Sequence, residues 1–60
     1  MQLYEVTYPH SKGFDSGVPW TYLERVAEDP TVRAVATCVN TGERYELRSG
    51  VWSRLPKESR

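Results

Sequence analysis

Residues 2–8 (Gln2-Leu3-Tyr4-Glu5-Val6-Thr7-Tyr8) alternate with a period of two. Tyr4, Val6 and Tyr8 form one face and Leu3, Glu5 and Thr7 the other, as aromatic and β-branched residues do in a pleated strand. Pro9 closes this strand, because proline has no N–H for a ladder. Residues 9–19 hold two prolines, two glycines and two serines with no period, and they predict one long loop.

Residues 20–29 change to helical spacing. Leu23, Val26 and Ala27 fall on one stripe, with Trp20 and Tyr22 at its margins and Glu24, Arg25 and Glu28 on the solvent side. Thr21 and Glu24 have capping-box spacing, and Pro19 offers a competing start. Asp29-Pro30 stops the helix, since proline disfavours helical geometry in the residue before it. A helix this short does not hold in water and must dock on a sheet.

Residues 31–39 predict a central strand, with Val32, Ala34, Ala36 and Cys38 on one parity and Arg33, Val35, Thr37 and Val39 on the other. The small residues of the first parity let a helix sit close. Asn40-Thr41-Gly42 makes a turn into residues 43–48, where Tyr45 and Leu47 oppose Arg44, Glu46 and Arg48. A three-residue turn with Gly42 left-handed is favoured; it pairs Val39 with Glu43 and puts Val35 and Thr37 beside Tyr45 and Leu47. A two- or four-residue turn would put Ala34, Ala36 and Cys38 there instead, because one residue of slip exchanges the faces. Ser49-Gly50 turns the chain into a last strand over 51–55, ended by Pro56, and residues 56–60 are expected to fray.

The prediction is an α+β domain over residues 1–60, of order β-α-β-β-β. One short helix packs on a mainly antiparallel sheet of three or four strands, with the first strand at an edge. Sixty residues leave room for one core, and such a chain buries only about 60% of its unfolded surface. Chains below roughly 70–80 residues usually need a staple. A lone Cys38 makes no internal disulfide, and no ligand spacing suggests zinc or another cofactor. Aromatic packing and self-association remain. The seven aromatics exceed the four or five rings that a one-helix core is expected to take, which leaves Phe14 and Tyr8 or Trp20 for a contact.

Charge balances at zero overall but not along the chain. Residues 1–30 carry Lys12 and Arg25 against Glu5, Asp15, Glu24, Glu28 and Asp29, a net −3. Residues 31–60 carry Arg33, Arg44, Arg48, Arg54, Lys57 and Arg60 against Glu43, Glu46 and Glu58, a net +3. Arg44, Arg48 and Arg54 sharing the outer face of the last hairpin, with Lys57 beyond, would make a minimal platform for single-stranded nucleic acid. Glu43 and Glu46 interrupt it, and the isoelectric point near 6.5 is low for that class.

Catalytic groups are sparse. His10, Ser11, Asp15 and Ser16 are hydrolase residue types, but a single histidine in a loop predicts no triad. Ser11-Lys12-Gly13 runs opposite to a phosphate loop. Cys38, inside an apolar strand, reads as a small core residue, and Trp52 is assigned to the core. No apolar run nears the about 20 residues of a membrane span, and the start lacks signal-peptide character. The chain therefore reads as a complete small cytoplasmic protein, non-enzymatic and without a cofactor.

In size and style it resembles short stand-alone proteins of phages, prophages and bacterial accessory loci, and that resemblance implies binding to a host protein. The expected contact residues are Phe14, Trp20, Tyr22 and Tyr8, in the loop and at the helix margin, or an exposed sheet face. Nucleic-acid binding through the arginines and a structural homodimer are the alternatives.

Overall fold

The computed structural model describes residues 2–56. The expected frayed tail lies, apart from Pro56, outside the described residues. Six elements follow one another: β1 (Tyr4–Thr7), β2 (Phe14–Val18), α1 (Trp20–Val26), β3 (Ala34–Cys38), β4 (Arg44–Arg48) and β5 (Val51–Arg54). The strands form one antiparallel sheet in the order β2-β1-β3-β4-β5, with the helix on one face. The α+β class and the β3-β4-β5 meander are as the alternation predicts.

Three expectations need correction. The first is the loop over 9–19, because β2 lies inside it and pairs with β1. This strand has no alternation to reveal it. Two of its residues, Ser16 and Gly17, face one residue of β1 in a bulge, and Gly17 takes a left-handed φ of 67°. As a result β1 is not at an edge; it lies between β2 and β3.

The second is the helix. It ends at Val26, and Pro19 is its N-cap, with no side-chain cap bond. Thr21 is already inside the first turn, so no capping box forms; the ladder opens with Tyr22 N–H donating to Pro19 O at 3.0 Å. At the other end Asp29 Oδ1 accepts from the Thr31 N–H at 3.0 Å and the Thr31 hydroxyl at 2.7 Å. That local bond competes with the helix and holds residues 27–31 in turns.

The third is the β3–β4 register. Cys38 N–H donates to Glu43 O at 2.7 Å and Gly42 N–H to Cys38 O at 2.8 Å, closing a four-residue turn. Ala36 then pairs with Tyr45 and Ala34 with Leu47. The face beneath the helix is Ala34, Ala36 and Cys38, while Val35 and Thr37 point away. Glu43 N–H, bonded to Thr41 Oγ1 at 3.2 Å, anchors the turn.

Tyr4, Val6, Leu23, Ala34, Ala36, Cys38 and Leu47 make one buried cluster. Sealing Leu23, Leu47 and Val6 contributes about 1.5–3 kcal/mol each. Around it Trp20 meets Tyr4 at 5.4 Å, Tyr45 at 5.3 Å and Trp52 at 6.4 Å between ring centroids. The Trp52 indole N–H donates to Leu23 O at 2.7 Å, tying β5 to the helix. The helix face takes in six rings, more than expected, and of the aromatics only Phe14 stays outside.

Ser49 and Gly50 both have positive φ, 51° and 78°, the two-residue turn that matches strand twist. A Cβ on Gly50 would lie 3.2 Å from Ala27 O, whereas one on Gly42 (φ 80°) meets nothing. Gly42→Ala is therefore expected to cost about 1 kcal/mol from backbone strain alone. Gly50→Ala should cost about 2 kcal/mol, adding the clash to the strain. Urea denaturation of both variants checks the ranking.

Candidate functional site

The register sorts the polar and aromatic side chains onto two faces. On the helix face, Asp15 pairs with Val6 and so points toward α1. Its Oδ2 accepts the Tyr8 hydroxyl at 2.6 Å and the Tyr22 hydroxyl at 3.0 Å. One carboxylate oxygen thus joins the end of β1, the edge strand β2 and the helix. Desolvation and the bond to Asp15 raise the Tyr8 pKa far above the usual 10.0. The same bond, then desolvation, raises that of Tyr22. No pattern in the chain announces this contact, which needs a hairpin and then a helix to bring three residues together.

The sequence-derived contact residues are therefore split. Tyr8 and Tyr22 are half-buried around Asp15, and Trp20 is the centre of the aromatic cluster. Phe14 pairs with Thr7 on the opposite, open face. The open face also carries Leu3, Val39 and Val51. Leu3 and Val39 continue the alternation past the ends of β1 and β3, where Val39 N–H donates to Leu3 O at 2.9 Å. Val51 lies opposite Arg48. These four are the exposed large hydrophobics of the described residues, at 39% (Leu3), 58% (Phe14), 55% (Val39) and 60% (Val51).

The arginines divide as well. Arg44 and Arg48 lie on the open face with Glu46, and Arg48 Nε is 3.7 Å from Glu46 Oε2. Arg54 pairs with Tyr45, which puts it on the helix face, where its Nη2 is 3.0 Å from Glu43 Oε2. Trp52 likewise faces the helix, half-buried against the core as expected. Lys57 lies outside the described residues. Exposed pairs such as these are worth at most about 1 kcal/mol.

Of the hydrolase-type residues, Asp15 is engaged by the two tyrosines, and Ser11 Oγ accepts the Gly13 N–H at 3.1 Å. His10 and Ser16 are exposed. Among the described residues no three His, Cys, Asp or Glu side chains gather as metal ligands, and no helix is long and apolar enough to cross a membrane. Cys38 is buried, with its thiol 3.0 Å from Gln2 Oε1. No protein-family model, curated protein or solved structure matches this chain.

Burial also raises the pKa values of Tyr4 and Tyr45, so four phenols favour the protonated form when folded. Raised folded values give stability that is full below the unfolded tyrosine value and is lost as pH climbs past it. The urea midpoint should therefore stay level to about pH 9 and fall above about pH 10. Tyr8→Phe should make that fall shallower.

Proposed function

We propose that this chain is a small non-enzymatic protein-binding module that works through the open face of its sheet. One observation carries the reading: the exposed large hydrophobics Leu3, Phe14, Val39 and Val51 are all on the face that the helix leaves bare. An antiparallel sheet with one solvated face ordinarily keeps that face polar. Here an aromatic and three aliphatic residues sit among Arg44, Arg48, Glu5 and Glu46, and aromatics and arginines are enriched at protein interfaces. In this reading the protein acts by occupying a surface of another protein, in the manner of short phage-type accessory proteins. A single buried thiol fits a reducing compartment such as the cytoplasm.

A nucleic-acid reading draws on Arg44 and Arg48 alone, since Arg54 faces the other side of the sheet. Phosphate contacts would make binding fall steeply with salt. We expect no retention of single-stranded oligonucleotides even at low salt; salt-sensitive binding lost in Arg44→Ala/Arg48→Ala would favour that reading instead.

Replacing Phe14 and Val39 by serine should leave the fold and its urea midpoint nearly unchanged, because both side chains are solvated. The same variant should lose a partner that the unaltered chain and an Arg25→Gln control, altered on the exposed side of the helix, both retain in affinity capture. Sedimentation of the two proteins identifies a second copy as that partner if only the unaltered chain gains mass with concentration. Equal capture by the serine variant would sink the proposal.

A further inference from the structure

On the opposite side of the sheet, a cleft of about 390 Å³ runs between α1 and the start of β5. Its volume is at the small end of the range that holds ligands, roughly 300–1,000 Å³, and suits one side chain. It is lined by the neighbouring indoles of Trp20 and Trp52, inclined at 51°, together with Ala27, Gly50 and Val51. Trp52 is held in place by its bond to Leu23 O, so the wall is formed before anything binds. Glu24, on α1, and Glu28, in the turn that follows it, stand at the rim and are exposed. Among the described residues neither is in a salt bridge, whereas Glu43 and Glu46 are paired with Arg54 and Arg48.

We propose that this cleft takes the cationic side chain, lysine or arginine, of a partner protein. The charge complementarity decides the occupant. Indole faces attract a cation through their quadrupole, and the apolar walls cover the aliphatic stem that carries it. The two carboxylates meet the charged head and replace part of its lost hydration. They also repel phosphates, which disfavours nucleic acid here, and an uncharged apolar side chain would desolvate them without return. The cleft shares only Val51 with the open-face hydrophobics, and neither rim carboxylate belongs to that face, so each reading can fail without the other.

The test is a heteronuclear NMR titration of the full chain with Nα-acetyl-lysine methylamide, its arginine counterpart and its uncharged norleucine counterpart. The cationic probes should shift the Trp20 and Trp52 indole signals and the Gly50 amide saturably, at millimolar concentrations. Added salt should weaken the response. Glu24→Gln/Glu28→Gln, on an exposed rim, should keep a native spectrum and bind roughly fivefold more weakly. An equal response to norleucine, undiminished affinity in the glutamine variant, or no saturable shift with either cation would overturn the assignment.

Discussion

How closely a seven-residue helix can approach the sheet is the constraint on which the rest of this fold depends. Such a helix has no stability of its own and exists only where its apolar stripe is buried. The central strand β3 meets that need with Ala34, Ala36 and Cys38, side chains short enough for Leu23 to be sealed above them. The same small residues let the rings of Tyr4 and Tyr45, on the strands flanking β3, meet across it at 6.2 Å. Trp20 then closes over both rings. Aromatic contacts of this kind contribute about 0.5–1.5 kcal/mol each beyond area burial. They supply the staple that a chain with one free thiol lacks.

Facing small residues toward the helix has a consequence on the far side. Every residue of opposite parity is turned out, so Val35 and Thr37 join a bare face with Phe14 at one edge and Val51 near the other. The rim carboxylates Glu24 and Glu28 stand on the helix side, while Arg44 and Arg48 stand on the open face among Glu5 and Glu46. The two faces are chemically distinct, although each draws residues from both the −3 and the +3 half of the chain. The proposed protein contact and the proposed cation cleft each draw mainly on one of these faces.

The edges are blunted rather than covered. β2 carries a bulge and is followed by Pro19, and β5 is four residues long and soon meets Pro56. Both devices discourage pairing with another strand. They turn attention from the sheet's edges to its faces as places for association.

What the sequence determined by itself was whatever repeats locally. Alternation at Tyr4, Val6, Tyr45 and Leu47 and the helical stripe through Leu23 are visible because side-chain direction follows backbone period. The small parity of β3 was visible too, but not the side it would face. That depended on whether the turn after Cys38 holds three residues or four, and a one-residue difference reverses every side chain of the strand. Only the tertiary structure decided it, through the burial of the helix. β2 was hidden for a similar reason: a short strand with a glycine bulge has no period, and it is held by its pairing with β1 and by two tyrosines on Asp15. The surfaces proposed for binding were half legible at best. Phe14, Trp20, Tyr22 and Tyr8 stood out as residue types, but packing alone separated Phe14 from the other three, because a side chain's exposure is settled by what comes to lie over it.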